Sequence, residues 1–283
     1  MRLLHYTIIA SGRFDGRYTG GLLMPDMNAA DPGYPQPGKL ELIWGEGFLS
    51  PGGAAEVGRI IGGKDIAGRD ILDIGGGMGG ADIALVKNHG ARSVVGIDVE
   101  RQLVEAASRR AQNHGLEDLI RYQLVEPGAL PFATSGFDVV FSKDAIIHVE
   151  DKESLYREIF RVLRPGGRLL VSDWLRGKDD HVDPLVEDFI AASGHRFFLV
   201  SLEELAGLAR AVGFVDIELE DRQEWYMQES EAELRKLHGP LGQEFRRRWG
   251  DKAADDEIAF WEVLVTAVKA GAMKPGHIRA AKS

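Results

Sequence analysis

The fold of this chain is decided by one stretch of eleven residues, Asp70-Ile71-Leu72-Asp73-Ile74-Gly75-Gly76-Gly77-Met78-Gly79-Gly80. The apolar residues from Ile71 to Ile74 are typical of a buried strand, and a helical pattern from Ala81 to Asn88 follows the glycines. A strand, a glycine-rich loop and a helix in this order form the unit that binds nucleotide-like ligands in α/β proteins. Glycine lets the loop backbone approach a ligand closely and adopt conformations that other residues avoid.

The glycine spacing alone does not choose the ligand, because two registers fit. One register consists of Gly75, Gly77 and Gly79. The other consists of Gly75, Gly77 and Gly80 and is the dinucleotide fingerprint. Asp73 helps to decide, since at the carboxyl end of the strand it would repel a pyrophosphate and attract an ammonium or a sulfonium group. The stretch resembles the first motif of the class I S-adenosylmethionine-dependent methyltransferases, which implies that cofactor. Without a ligand it would be only a tight strand-to-helix turn.

Strands and helices alternate along the chain and predict an α/β fold with a doubly wound, Rossmann-like sheet. Predicted strands cover residues 71–74, 93–98, 120–125, 137–142, 168–173 and 214–220, and predicted helices cover residues 54–61, 81–88, 101–114, 152–163 and 202–212. Ser50 is expected to cap the first of these helices, and Ser201 with Glu204 forms a capping box for the last. The methyltransferase resemblance implies seven strands, the last one antiparallel at residues 277–281, and helical insertions that cap the site.

We expect residues 1–33 to be a poorly ordered N-terminal extension and residues 34–283 to form a single methyltransferase domain. The core of the domain is expected at about residues 54–174 and 201–220, and the substrate cap at residues 34–53, 175–200 and 222–271.

Composition narrows the partners that the chain can have. Its 283 residues include 34 basic and 44 acidic side chains, which gives a net charge of −10. This charge makes nucleic acid or an anionic membrane surface an unfavourable partner. The chain has no cysteine, so disulfides, thiolate metal sites and a cysteine nucleophile are excluded, and no metal site is predicted. Because no signal-peptide or membrane-span pattern is visible, we expect a cytoplasmic protein.

Asp98 is a second acidic residue at a strand end, about 20 residues after the glycine loop, where a carboxylate can bind both ribose hydroxyls of a nucleoside. It would serve equally well as the N-cap of the next helix. Glu126 and Pro127 follow the third strand, where the methyltransferases usually carry an aspartate that holds the adenine amino group. Glu126 departs from that pattern and would otherwise be a solvated loop residue, while Pro127 has no N–H to donate. The predicted cofactor residues are Ser50, Asp73, Gly75, Gly77, Gly79, Asp98, Val99, Glu126, Pro127 and Lys143.

The fourth predicted strand leads into Ser142-Lys143-Asp144-Ala145-Ile146-Ile147-His148, a segment that would emerge beside the cofactor. Asp144 and His148 are four residues apart and would share one face if the segment were helical. The segment is similar to a motif of two groups of small-molecule N-methyltransferases. One group acts on phosphoethanolamine, and the other acts on glycine, sarcosine and dimethylglycine. Upstream, Ile43–Gly53 is more similar to the phosphoethanolamine group, and the resemblance extends over residues 34–220.

The resemblance implies roles on the acceptor side of the site. His148 would be the general base, Tyr34 would pair with it over the substrate, and Asp144 would orient the imidazole or hold the positive charge of the substrate. As alternatives, His148 would be a structural histidine and Tyr34 a loop residue that packs its ring. The residues assigned to substrate binding are Trp44, Trp174, His195 and Arg196. Aromatic rings suit a methylammonium group by cation–π attraction, and the two basic residues suit a phosphate or a carboxylate.

Together these residues predict a methyltransferase that transfers a methyl group in line from S-adenosylmethionine to a small amine and releases S-adenosylhomocysteine. An O-methyltransferase would use the same histidine and is the nearest alternative. A cofactor-binding protein without turnover would keep Asp73 and Asp98 but would need no base. A dehydrogenase fits less well because Asp73 opposes a pyrophosphate. The sequence does not choose among phosphoethanolamine, its methylated forms, glycine derivatives and other amines, and it leaves the oligomeric state open.

Overall fold

A computed structural model describes residues 37–177 and 183–283, which contain one seven-stranded sheet. Its strands are β1 (Asp70–Ile74), β2 (Ser93–Asp98), β3 (Ile120–Leu124), β4 (Phe137–Lys143), β5 (Leu163–Arg176), β6 (Phe214–Asp221) and β7 (Met273–Lys282). They lie in the order β3-β2-β1-β4-β5-β7-β6, in which β7 runs antiparallel to both neighbours and the first five strands pair in parallel. The predicted Rossmann-like sheet with an antiparallel last strand is therefore confirmed. The extension predicted at residues 1–33 lies outside the described residues.

Helices cover both faces of the sheet. Those in the described ranges are α1 (Pro37–Trp44), α2 (Gly53–Ile61), α3 (Gly80–His89), α4 (Arg101–Asn113), α5 (Lys152–Val162), α6 (Pro184–Ser193), α7 (Leu202–Val212), α8 (Gln223–Leu237), α9 (Pro240–Trp249) and α10 (Asp251–Lys269). Successive strand residues point to opposite faces. Ile71 accordingly packs with α2 and α3, whereas Leu72 packs with α5 and α7. The carboxyl ends of β1, β2 and β4 meet at one edge, where ligands bind in doubly wound folds.

Local sequence signals explain the ends of several helices. The Ser201 hydroxyl accepts the Glu204 backbone N–H and the Glu204 carboxylate accepts the Ser201 N–H, which confirms the predicted capping box. The prediction that Ser50 caps α2 is wrong, because Gly52 precedes that helix in the left-handed conformation and no side chain caps it. The Ser50 hydroxyl instead accepts a hydrogen bond from the ammonium group of Lys143, which places it beside the glycine loop.

Helices α6, α8, α9 and α10 share a separate apolar cluster, against which the side chains of α1 pack. Large aromatic residues fill this cluster, among them the fully buried Tyr226, Phe245 and Trp261. We call this group of four helices the helical cap. Within residues 37–177 and 183–283, no helix is both long and apolar enough to cross a membrane.

A buried ion network fastens α2 to the far edge of the sheet. The Glu56 carboxylate of α2 accepts two hydrogen bonds from Arg222, at 3.0 and 2.9 Å, and lies 2.9 Å from His277 Nε2 of β7. Glu56 is 3% exposed and His277 is fully buried. Burial alone would raise the pKa of Glu56, but contacts with His277 and Arg222 hold the pKa below its ordinary value. The network therefore stabilises the fold through an ionised carboxylate.

We expect Glu56→Gln to lower the free energy of unfolding by about 3 kcal/mol at pH 7, because it removes the charge that accepts two hydrogen bonds from the nearly buried Arg222. Since the pKa of Glu56 is lowered in the folded state, its contribution is present above pH 4.5 and is lost as the pH falls further. Urea titrations at pH 7 and at acidic pH would measure this difference. The matched control is Glu218→Gln, which removes an exposed pair with Lys64 and should change little. An equal loss in the two variants would contradict the prediction.

Candidate active site

The glycine loop between β1 and α3 has the unusual backbone that its composition predicts. Gly75, Gly77 and Gly79 have φ angles of +78°, +53° and +84°, in the left-handed region that other residues rarely adopt. A neighbouring residue also excludes a side chain from the loop, since a Cβ atom at Gly75 would lie 2.2 Å from the Cβ of Ala145. The loop therefore presents backbone atoms and no side chain at Gly75, on the side that faces the segment after β4.

Asp98 at the end of β2 holds the glycine loop. Its Oδ2 atom accepts the Gly77 N–H at 3.0 Å, and its Oδ1 atom accepts the Glu100 N–H at 2.9 Å. The alternative role of Asp98 as a helix N-cap is wrong, because Glu100 is the N-cap residue of α4. Burial raises the pKa of Asp98, although hydrogen bonds from Glu100, Gly77 and Val99 oppose this. Asp98 thus has a structural role at the edge where a nucleoside site was predicted.

A cavity that is partly open to solvent lies between the glycine loop and the segment that precedes α2. It is lined by Gly47, Phe48, Leu49, Ser50, Asp73, Gly75, Gly76, Gly77, Met78, Ala81 and Lys143. Among these residues, Asp73 carries a carboxylate and Lys143 carries an ammonium group. A zwitterionic amino acid needs one group of each sign, so the cavity offers the charges that such a ligand requires.

Asp73 is a buried acid whose carboxyl group interacts with that of Asp82. Burial raises its pKa well above the ordinary value, and the charges of Asp82 and Asp98 raise it further. Asp82 in the first turn of α3 is also fully buried, and burial raises its pKa to about 6. Because two neighbouring buried acids are unfavourable when both are ionised, this pair suits a ligand that brings a positive charge. The residues present therefore fit the ammonium-bearing cofactor that the sequence predicts.

The predicted pair of Asp144 and His148 does not share a helical face. Asp144 has a φ angle of +57°, and only Ile146–His148 forms a short 3₁₀ helix. The Asp144 carboxylate accepts hydrogen bonds from Lys143 at 2.9 Å and from the Ser172 hydroxyl at 2.8 Å. Burial alone would raise the pKa of Asp144, but the neighbouring Lys143 lowers it. Asp144 is therefore an ionised carboxylate anchored at the ends of β4 and β5.

His148 is oriented by the loop that joins α6 to α7. Its Nδ1 atom lies 3.1 Å from the Arg196 carbonyl oxygen, and its ring centre lies 5.9 Å from that of His195 and 5.1 Å from that of Phe197. The structure thus brings His148, His195 and the Arg196 backbone together. The Arg196 guanidinium stacks over Phe198, with 5.3 Å from its carbon to the ring centre.

Trp44 and Trp174 both contact aromatic residues of the helical cap. The Trp174 ring meets Tyr226 edge to face at 4.8 Å between centres, and the Trp44 ring lies 5.5 Å from Trp261. Glu233 connects Trp44 with Tyr226 and Trp261 through hydrogen bonds. Its Oε1 atom accepts a hydrogen bond from the Trp44 indole N–H at 2.7 Å. Its Oε2 atom accepts hydrogen bonds from the Tyr226 hydroxyl and the Trp261 indole N–H, each at 3.2 Å. Burial raises the pKa of Glu233 to about 7 against the opposing effect of these three donors.

Some of the predicted site residues make none of the contacts described above, and some residues of the site were not predicted. Glu126 and Pro127 are exposed beyond β3, and Val99 is 54% exposed beyond β2. Tyr34 lies outside the described residues. Asp82, Tyr226 and Glu233 were not predicted from the sequence as residues of the site. A signal existed for the last two, because residues seven apart in a helix share a face.

Comparisons with known proteins agree with this architecture. A family model described as a methyltransferase domain matches residues 72–171. Methyltransferase GfsG of Streptomyces halstedii is 34% identical over 212 residues, which cover 72% of this chain and 75% of that protein. A phosphoethanolamine N-methyltransferase of Triticum aestivum is 30% identical over 240 residues, which cover 83% of this chain and 46% of that protein. The chain spans about half the length of the phosphoethanolamine N-methyltransferases from wheat and maize that it matches.

A solved methyltransferase structure has a similar fold. Phosphoethanolamine N-methyltransferase 2 of Haemonchus contortus, in complex with phosphomonomethylethanolamine and S-adenosylhomocysteine, superimposes with a TM-score of 0.79 at 25% identity. The match covers 86% of this chain and 56% of that one. The chain belongs to the class I S-adenosylmethionine-dependent methyltransferases.

We expect Asp82→Asn to stabilise the protein without ligand, because it removes a buried carboxylate whose ionisation burial makes unfavourable. The pKa of Asp82 is raised from 3.8 to about 6 on folding, so its ionisation destabilises the folded state as the pH rises through that range. The variant should gain about 1–3 kcal/mol at pH 8 and much less at pH 4. Thermal unfolding at the two pH values would measure the difference. A gain that did not depend on pH would contradict this explanation.

Proposed function

We propose that this chain transfers a methyl group from S-adenosylmethionine to the nitrogen of a small amine of the phosphoethanolamine or the glycine and sarcosine type. The observation that carries this proposal is the buried carboxyl group of Asp73, which lies next to a second buried acid, Asp82, in a cavity that also contains Lys143. The relatives whose printed names are phosphoethanolamine N-methyltransferases support the choice of an amine acceptor.

The residues around the cavity suit the separate parts of the cofactor. Asp73 would bind the ammonium group, and Lys143 with Ser50 would bind the carboxylate of the methionine portion. Asp98 would accept the ribose hydroxyls, while Val99 and the Glu126–Pro127 pair would border the adenine. The bound cofactor supplies a methyl group that its sulfonium has already activated. The protein mainly has to position the acceptor and manage its proton.

His148 is proposed as the base that removes the proton of the amine. The proximity of its Nδ1 atom to the Arg196 carbonyl favours the tautomer with the hydrogen on Nδ1. In that tautomer Nε2 is the nitrogen that accepts a proton, directly from the amine or through a water molecule. Tyr34 is retained as a candidate partner for this histidine. The ionised carboxylate of Asp144 would attract the positive charge of an ammonium substrate.

Trp44, Trp174 and His195 with Arg196 are proposed to shape the acceptor site. The two indole rings suit a methylated ammonium, and the basic pair suits an anionic end of the substrate. The nearest alternative is an O-methyltransferase acting on a small molecule, in which the same base would accept a hydroxyl proton. The third possibility is a protein that binds S-adenosylmethionine without turnover. We propose a cytoplasmic enzyme that needs no metal, nucleic acid or membrane partner.

We expect His148→Ala to lower turnover by about 10²- to 10⁴-fold and to leave cofactor affinity nearly unchanged, because a base acts on the acceptor. Steady-state kinetics and calorimetry with S-adenosylhomocysteine would measure the two effects. If both fell equally, the histidine would be structural.

Asp73→Asn should have the opposite pattern, since it removes the charge that faces the cofactor ammonium but keeps the shape of the side chain. We expect the affinity for S-adenosylmethionine to fall by about 10- to 100-fold. An unchanged dissociation constant in calorimetry would remove Asp73 from the site.

The acceptor is tested by measuring S-adenosylhomocysteine release with three sets of compounds side by side. These are phosphoethanolamine and its methylated forms, glycine with sarcosine and dimethylglycine, and small alcohols and phenols. We expect release with one of the amine sets. Release only with hydroxyl compounds would favour the O-methyltransferase, and cofactor binding without release would favour a non-catalytic protein.

A further inference from the structure

Residues 37–53 contact both the helical cap and the cofactor cavity. The α1 half of this segment packs its apolar side chains on the cap. The loop that follows contributes Gly47–Ser50 to the cavity wall. One continuous stretch of chain therefore joins the two places where cofactor and acceptor are proposed to bind.

The loop is seated on the glycine loop by a close contact between two backbones. The Gly80 N–H donates to the Gly47 carbonyl at 3.0 Å, and a Cβ atom at Gly47 would lie 2.7 Å from the Gly80 Cα. Glu41 of α1 accepts the Gly47 N–H at 2.6 Å and also pairs with Arg110 of α4. Because Glu41 links the helix directly to the loop, a shift of α1 is transmitted to the cavity wall.

Glu233 is the buried acidic residue that fixes α1 to the cap. It is 4% exposed within an otherwise apolar cluster. Its three hydrogen bonds come from donors on three different helices: Trp44 on α1, Tyr226 on α8 itself and Trp261 on α10. The Trp44 bond, at 2.7 Å, is the shortest of the three.

We propose that Glu233 is a positioning residue that couples the helical cap to the cofactor cavity through Trp44. Glu233 is not among the residues that line the cavity, and it acts by holding α1, and with it the Gly47–Ser50 wall, against the glycine loop. Cofactor binding and the order of the cap are then linked in both directions, because a coupling between two sites is reciprocal. The link to catalysis rests on the proposed function, whereas the link between Glu233 and the cavity wall does not.

Glu233→Gln breaks the Trp44 bond selectively. A glutamine side chain has one acceptor oxygen, whereas the carboxylate serves donors on both oxygens. Trp261 is fully buried and Trp44 is only partly buried, so an unsatisfied N–H costs more at Trp261. The amide oxygen therefore stays with Trp261 and Tyr226, and the amide NH₂ group faces the Trp44 N–H. Trp44→Phe removes the same bond from the other side and keeps an aromatic ring.

The experiment compares hydrogen exchange and S-adenosylhomocysteine affinity in Glu233→Gln, Trp44→Phe and the double variant. We expect each single variant to exchange faster in residues 37–53 and to bind S-adenosylhomocysteine about fivefold more weakly. In the Trp44→Phe background, Glu233→Gln should add little, since the bond is already absent. In the parent protein, S-adenosylhomocysteine should slow exchange in α8 as well as in residues 37–53, and Glu233→Gln should abolish the effect on α8.

The matched control is Glu224→Gln, which removes an exposed carboxylate from the same helix and should leave every readout unchanged. Unchanged exchange in residues 37–53 in Glu233→Gln would overturn the proposal. Faster exchange throughout β1 and β4 would also overturn it, since Glu233 would then be a general core residue. If the effects of Glu233→Gln and Trp44→Phe were additive in the double variant, the two variants would not act through one shared bond. If the parent failed to bind S-adenosylhomocysteine, the proposed function would fail, but the exchange comparison in residues 37–53 would still decide the role of Glu233.

Discussion

A cluster of acids buried together at the carboxyl edge of the sheet is the constraint on which the rest of this site depends. Asp73 and Asp82 are almost completely buried side by side, and Asp98 adds a third carboxylate. In an interior of low dielectric constant such groups repel each other strongly and are raised in free energy unless a positive charge compensates them. Lys143 supplies part of this compensation but is also hydrogen-bonded to Ser50 and to Asp144. The site is therefore organised for a ligand that brings a positive charge of its own.

The charged cavity and the aromatic residues on the acceptor side are each closely packed. The Gly47 backbone lies on Gly80 so closely that neither position has room for a side chain. On the acceptor side, the aromatic residues of the cap continue from Phe197 through Phe189 to Phe260, with ring centres less than 6 Å apart. Electrostatic attraction is stronger where water is excluded. The apolar cap and the charged cavity therefore complement each other, although they come from distant parts of the chain.

What the sequence could predict depended on how local the responsible interactions are. The strand at Ile71–Ile74, the helix after the glycines and the capping box at Ser201 are set by neighbouring residues, and they were predicted correctly. The expected helical pairing of Asp144 with His148 failed because a non-glycine residue with positive φ cannot be recognised from sequence. Glu233 was missed because its partner Trp44 is 189 residues away. The proximity of Asp73 and Asp98 can be predicted from the order of the strands. The contact between α1 and α8 cannot, because no short sequence pattern connects the two helices.

The long separation between Trp44 and Glu233 also has a consequence for how the protein is made. Helix α1 leaves the ribosome well before Glu233 and Trp261, which hold it, are synthesised. At a synthesis rate of about 5–20 residues per second, a gap of 189 residues corresponds to a delay of roughly 10–40 s. During that interval the parallel strands can pair while the apolar face of α1 has no cap to cover it. The nascent chain therefore passes through a stage in which most of the sheet can exist but the wall of its cofactor cavity is still unsupported.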